Sequence, residues 1–468
     1  MDALIIAGAV RMGHRKAVDV ITAALKRADT AKDLGIFTHV QAAHALERAA
    51  KIDADIASGK DPGRLAGIPI AIKDNIAQKG QPLGCASRML EGYTAPMTAT
   101  ALARLEAQGA IVIGRTNMDE FGMGSSGENS AHCPTKNPLQ HDRVPGGSSS
   151  GSAAAVAAGI VPIALGSDTG GSVRQPASFC GVIGLKPTYG RISRSGLVAF
   201  GSSLDQIGPI TRSIRDAAVA TQIMSGADPL DSNTISSQMQ VLPDERNASL
   251  VGVSIGLPNQ CWQNEEDNPV LHAVRKAIAS LEERGASVHA VDLPLLEAAI
   301  PCYYLLTSAE AGSNLARFDG IRYGPRAETE RLIDTYTQTR SDRLGPEVQR
   351  RILLGTFALA EGYADDLYVR ANAVRTQMRT AVDSVLQQVD ALAMPTTPTV
   401  AFALGAKTVD PLQMYLSDVF TTPPSLTGHP AISVPAGTHD NLPVGLQLVG
   451  RHADEASIMK IGMAVHGR

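Results

Sequence analysis

Two hydroxyl-rich glycine loops, Gly146-Gly147-Ser148-Ser149-Ser150-Gly151-Ser152 and Gly166-Ser167-Asp168-Thr169-Gly170-Gly171-Ser172, bracket an apolar stretch from Ala153 to Leu165 that must be buried. Upstream, Lys73 closes a second apolar run, Gly67 to Ile72. A serine hydroxyl is a weak nucleophile until a base takes its proton, and lysine is such a base only when neutral. Burial at the end of a hydrophobic strand disfavours the ammonium and lowers its pKa. Serines with such a lysine suggest acyl transfer, although Lys73 alone reads more simply as a strand-end lysine snorkelling to solvent. The glycines before Ser172 permit a tight turn in which successive N–H groups converge. Thr169, Gly170, Gly171 and Ser172 are thus candidate oxyanion donors, at about 3 kcal/mol per well-placed donor. Asp168 in such a loop caps neighbouring N–H groups more often than it acts as an acid.

Other motifs fail on context. Gly147-x-Ser149-x-Gly151 has the letters of a hydrolase nucleophile elbow without a strand leading into it, and Ser457-Ile458-Met459-Lys460 lacks the K-T-G and S-D-N companions of an S-x-x-K enzyme. No glycine pattern supports nucleotide binding. The histidines are scattered without ligand spacing, so no metal site is expected.

Composition bounds the rest. In 468 residues, 44% are hydrophobic and 19% charged but only 4% aromatic, so the core must rest on aliphatics and alanine. A net charge of -4 supplies no field for holding nucleic acid, and any RNA must be gripped by another subunit. Five widely spaced cysteines offer no C-x-x-C pair and read as reduced, mostly buried thiols. The apolar patch Ala3 to Val10 follows Asp2 rather than a basic cluster, unlike a signal peptide, and no run reaches the ~18 to 20 residues of a membrane span. No membrane role and a cytoplasmic location are expected.

The elements that must position these residues follow from periodicity. Helix patterns over residues 14–60 lead to a strand at Gly67–Lys73, then a helix near Ala101–Gln108 and a strand at Ile111–Ile113. Ser225 to Leu250 is polar and reads as a surface excursion. Beyond it come a strand (Val251–Leu257), a helix (Pro269–Arg284), a strand (Val288–Leu293), a helical stretch (Gly345–Gln388), strands at Ala431–Val434 and Val444–Val449 and a final short helix. Alternation of this kind predicts an α/β fold with a largely parallel or mixed sheet.

Taken together, Gly67–Asn75 with Lys73, the GGSSSGS block, GSDTGGSVRQPASFCG (Gly166–Gly181), Gly184–Gly190 and Ser203–Gly208 resemble the amidase signature family. Lys73 and Ser148 are 75 residues apart and Ser148 and Ser172 are 24 apart, similar to that family's spacing. The resemblance covers nearly the whole chain. It implies one large α/β amidase domain over 1–468, a central mixed sheet covered by helices on both faces: 1–64 as an N-terminal helical layer, 65–225 as the signature core, 226–468 as the remaining sheet, helical cap and pocket segments. It also implies a Ser-Ser-Lys triad in which Ser172 is the acyl-enzyme nucleophile, Ser148 the bridging hydroxyl behind a cis Gly147–Ser148 bond, and Lys73 the ultimate base.

Within the family, Arg317–Gly324, Glu347–Phe357 and Asp410–Asp418 resemble the A subunits of glutamyl-tRNA(Gln) amidotransferases. A zwitterionic glutamine needs a cation for its carboxylate and an anion for its ammonium. On the resemblance these are Arg351 and Asp418, with Tyr303 as a third contact beside its neighbour Tyr304. The implied activity is glutamine hydrolysis that supplies ammonia for ATP-dependent amidation of Glu-tRNA(Gln), or Asp-tRNA(Asn), on a partner. B and C subunits are the expected partners; tRNA, ATP and Mg belong to the B subunit, and no cofactor to this chain. The alternatives are a stand-alone amidase acting on a small aliphatic or aryl amide, and a non-catalytic scaffold, which the intact triad disfavours. Ser150, Ser425, Thr427 and His429 depart from the usual family residues, the last three in a segment expected near the pocket.

Overall fold

The computed structural model describes residues 2–237, 239, 249–263 and 268–466. The chain opens with α1 (Ala3–Arg11), which Asp2 caps by accepting the Leu4 N–H and which buries Ala3, Ile6, Ala7 and Val10. Next are α2 (Ala17–Thr30), β1 (Phe37–Val40) and α3 (Ala42–Ala57). The sequence reading placed no strand before Gly67. β1 is four residues at the sheet edge, none fully buried, and too short to show a period.

The signature region follows as β2 (Pro69–Lys73), α4 (Thr100–Ala107), β3 (Ile111–Thr116), α5 (Ser150–Ala157), β4 (Ile163–Asp168), α6 (Arg174–Phe179), β5 (Ile183–Lys186), β6 (Gln206–Thr211) and α7 (Ile214–Met224). β2 lies parallel between β3 and β4 with every residue buried, the setting a continuous apolar run demands. The apolar stretch Ala153–Leu165 is not one straight segment. It is a helix that runs out and a strand that returns, which carries the two serine loops to the same end.

The remainder comprises β7 (Ser254–Pro258), α8 (Pro269–Glu282), β8 (Ser287–Val291), α9 (Ala299–Asn314), α10 (Leu332–Arg343), α11 (Pro346–Ala358), a π-helical turn at Asp365–Val369, α12 (Arg370–Leu386), β9 (Ala391–Pro395), α13 (Pro411–Tyr415), α14 (Thr422–Thr427), β10 (Ala431–His439), β11 (Leu442–Gly450) and α15 (Glu455–His466). The helical stretch expected over Gly345–Gln388 is thus two helices. The chain breaks between them near Gly362, whose φ of +86° is left-handed. Part of the polar stretch Ser225–Leu250 (238 and 240–248) lies outside the described residues. In its described part Asp228 and Asp231 are buried and hold Ser193 and Arg194, so that part is pinned rather than a free excursion.

The strands form one mixed eleven-stranded sheet in the order β1-β3-β2-β4-β6-β5-β10-β11-β9-β7-β8. Alternation along β10 and β11 shows what covers each face. Ile432, Val434, Leu446 and Leu448 pack with α8 and α15, whereas Ala431 and Val449 pack with Val382 and Leu386 of α12. A further cluster joins α9, α11 and α12 to Phe121 and Phe200. Among the described residues, no helix is long and apolar enough to cross a membrane.

Candidate active site

Lys73 ends β2 fully buried, far from the solvent a snorkelling lysine would reach. Its Nζ lies 2.7 Å from Ser148 Oγ, 3.0 Å from Ser167 Oγ and 3.3 Å from the Ser167 carbonyl. Burial pushes its pKa down to about 7, against the opposing pull of Asp119, Asp168 and Asp205. Ser167 Oγ also accepts from Asn75 Nδ2 at 2.9 Å.

Ser148 follows a cis Gly147–Ser148 bond. Only glycine fits at 147, because a Cβ there would stand 2.0 Å from Asp119 Oδ2. The Gly147 N–H donates to Gln175 Oε1 (2.9 Å), and the Ser148 carbonyl accepts from Asp119 N–H (3.2 Å). Asp119 in turn takes the N–H groups of Gly127 and Asn129. Ser150 lies at the start of α5, and Gly127, at φ +84°, leaves room for it: a Cβ on Gly127 would stand 2.5 Å from Ser150 Cβ.

Ser172 is half-buried, and its carbonyl accepts the Ser149 N–H at 3.2 Å, which joins the two serine loops directly. Asp168, fully buried at the end of β4, grips Arg174 through both oxygens (2.8 and 2.9 Å) and accepts from Gly171 N–H (2.8 Å) and Val173 N–H (3.2 Å). Burial pushes the Asp168 carboxyl up, but the Arg174 charge and hydrogen bonds outweigh it and hold the pKa below its ordinary value. The expected donor set is thereby corrected. The Gly171 N–H is already spent on Asp168, while those of Thr169, Gly170 and Ser172 have no partner among the described residues. Gly170 must lack a side chain because a Cβ there would lie 2.5 Å from Tyr303 Cζ.

Tyr303 and Tyr304, adjacent on α9, divide the work between two walls. Tyr303 lies over Gly170, whereas the Tyr304 ring sits 4.5 Å from the Arg351 guanidinium and stacks on Tyr415 at 3.8 Å. Arg351, buried on α11, donates from Nε to Glu347 Oε1 at 2.7 Å, and Tyr415 hydroxyl donates to the same oxygen at 3.0 Å. Asp418 is buried and accepts a short hydrogen bond from Ser125 Oγ. Burial pushes Asp418 up to about 7, with Ser125 and Arg351 opposing. Among the described residues no ion pair joins Arg351 to Asp418, so this cation and this anion do not neutralise each other by contact.

The three departures in the segment after α13 part company. Ser425 Oγ accepts from Arg174 at 2.8 Å and so braces the Asp168 pair. Thr427 and His429 face elsewhere: Thr427 Oγ1 meets His429 Nδ1 at 2.9 Å, and His429 Nε2 lies 3.0 Å from Asp383 Oδ1 on α12. The histidines are also not all scattered, since the His452 ring packs 4.0 Å from that of His429.

The family profile described as Amidase matches residues 19–459. The chain belongs to the amidase family. Among its relatives, the A subunit of the glutamyl-tRNA(Gln) amidotransferase from Moorella thermoacetica is 52% identical over 426 residues, 90% of this chain and 87% of that one. The crystal structure of the protein of the same name from Thermotoga maritima superposes with a TM-score of 0.80 at 40% identity, covering 96% of this chain and 91% of the other. A peptide amidase from Stenotrophomonas maltophilia superposes with a TM-score of 0.83 at 29% identity, covering 99% and 96%.

Four polar groups of this amidase-family site escaped the sequence reading: Ser167, Asn75, Ser125 and Glu347. Ser167 had only the weak signal of lying in the second serine loop, and it is the parallel pairing of β2 with β4, Ile72 beside Leu165, that sets Lys73 near it. Glu347 also had one, four residues before Arg351 on a helix and therefore on its face. Ser125 had none, being 293 residues from Asp418.

Proposed function

We propose that this chain is the glutamine-hydrolysing A subunit of a tRNA-dependent amidotransferase. The observation that carries the chemistry is the Lys73 amine, buried and 2.7 Å from Ser148 Oγ. Ser167 offers two acceptors, its carbonyl and its hydroxyl oxygen, for the two N–H bonds of a neutral amine. The lone pair is then left for the proton of Ser148. Ser148 takes in turn the proton of Ser172, whose Oγ attacks the glutamine side-chain carbonyl. Thr169, Gly170 and Ser172 N–H groups face the resulting oxyanion. The proton held on the relay passes to the leaving nitrogen, the C–N bond breaks and ammonia departs. Water, deprotonated through the same relay, then cleaves the acyl-enzyme to glutamate and free Ser172.

Buried Arg351 and Asp418 favour a zwitterion over a simple amide: the guanidinium receives the α-carboxylate and the carboxylate the α-ammonium. The names of the relatives support delivery of the ammonia to Glu-tRNA(Gln) within a multi-subunit amidotransferase; the same proposal takes Asp-tRNA(Asn) as the other acceptor, B and C subunits as partners, and ATP and Mg on the B subunit. The test is glutamine hydrolysis by the chain co-purified with such partners, with and without Glu-tRNA and ATP. Stimulation is expected, with loss in Ser172→Ala. Arg351→Ala is expected to raise the glutamine KM at least ~10-fold. An unchanged KM, with turnover of small aliphatic amides, would instead make this a stand-alone amidase.

A further inference from the structure

We propose that Asp383, His429 and His452 form a binding site for one divalent first-row transition-metal ion, Zn²⁺ by the chemistry of the donors. The three residues come from the face of α12, the turn before β10 and the turn after β11, and their ligand atoms all lie within 4.8 Å of one another. The site is separate from the serine loops and shares no residue with them.

The hydrogen bonds around His429 carry the argument. Thr427 gives its hydroxyl proton to the Pro423 carbonyl at 3.0 Å, so its oxygen is left to accept from His429 Nδ1 at 2.9 Å. An imidazole that donates from Nδ1 presents a bare lone pair at Nε2. That lone pair faces Asp383 Oδ1 at 3.0 Å. Two electron-rich atoms stand at this distance only with a proton or a cation between them.

His452 decides between the two. Its Nε2 is buried without a hydrogen-bond partner and lies 3.8 Å from the same Asp383 oxygen. A proton on His429 Nε2 leaves that nitrogen orphaned, whereas an ion held by all three satisfies each of them. With metal–ligand bonds of ~2.0–2.2 Å, neighbouring donor atoms stand ~3.0–3.5 Å apart. The Asp383–His429 pair already has this spacing, and the His452 side chain, 28% exposed, has room to close. Two imidazoles and one carboxylate suit Zn²⁺ and its neighbours rather than Mg²⁺ or Ca²⁺. The Thr427 contact to Nδ1 is the kind of outer bond that orients a metal-bound imidazole. Arg379 reaches the other carboxylate oxygen, Oδ2, at 3.8 Å and leaves Oδ1 to the histidines. An ion here would fasten α12 to both ends of the β10–β11 hairpin.

The test is calorimetric titration of the EDTA-treated full chain with Zn²⁺, with Co²⁺ absorption as a second reading of the ligand field. One equivalent is expected, with a rise in Tm that tracks occupancy. Asp383→Asn and His452→Ala, both at partly exposed positions, are expected to bind at least ~100-fold more weakly and to lose the Co²⁺ bands while keeping the wild-type circular dichroism. His429→Leu is a third variant, and if it does not fold the other two decide. Absence of stoichiometric binding overturns the proposal, and so does binding undiminished in the folded variants, which places the ion elsewhere.

Discussion

At the scale of single residues, the proposed relay makes the amine of Lys73 the group that sets the pH response. Its pKa lies near 7, so below that value the amine is protonated and cannot accept from Ser148, and above it the relay is open. Activity is therefore expected to rise as pH increases through about 7. In the proposed pocket Asp418, which burial pushes up to about 7, must be ionised to hold the glutamine ammonium, so it is expected to add to the acid limb of kcat/KM for glutamine. A simple amide without an ammonium group removes that contribution and leaves the Lys73 limb alone. Comparison of the two kcat/KM profiles checks both assignments. Ser167→Ala is expected to lower kcat ~10- to 100-fold with KM nearly unchanged, because it removes one of the two acceptors that orient the amine. A kcat within twofold of wild type would show that the Ser167 carbonyl and Ser148 suffice. Lys73 and the serines were readable as residue types that can do acyl transfer, whereas Ser167 became visible only once β4 was seen beside β2.

At the scale of elements, the site depends on the path from α5 to β4. An apolar stretch with glycine-rich ends reads equally as helix or strand, and the turn between them is what returns Ser172 to Ser148. The buried Asp168–Arg174 pair then holds the loop between β4 and α6, with Ser425 of α14 bonded to Arg174. Asp168→Asn leaves a fully buried guanidinium without its anion, a loss of roughly 3–5 kcal/mol. The expected outcome is a lower urea midpoint together with a fall in kcat, since the Gly171 and Val173 N–H groups lose their charged acceptor; an unchanged midpoint would refute this role. Several elements were missed for identifiable reasons. β5 is four residues long, β6 contains Gly208-Pro209 and β9 ends in Met394-Pro395, so each lacks the length or the residues that announce a strand.

At the scale of the whole molecule, the sheet crosses every boundary that the sequence suggested. β5 pairs with β10, residues 184–186 against 431–433, and Arg174 donates to Gln447 of β11. Arg191 and Glu455, both fully buried, join the loop after β5 to α15. A fragment of residues 1–225 would expose the β5 edge, leave Arg174 with Asp168 but without Gln447 and Ser425, and strand Arg191 without Glu455. It is expected to be insoluble or inactive alone and to regain amide hydrolysis only when mixed with residues 226–468; activity of the isolated fragment would show that the signature region folds on its own. The amino-acid sequence by itself determined the continuous apolar strands such as β2 and β3 and the helix periods, because these depend on local composition and short spacing; it also offered a lysine and serines suited to acyl transfer, whose roles as a triad rest on the family resemblance. Only the tertiary structure decided that the Gly171 N–H is taken by Asp168, that Tyr303 and Tyr304 serve different walls, and that Asp383 meets two histidines. Those outcomes depend on contacts between segments far apart in the chain, whose mutual approach is set by packing and leaves no local trace.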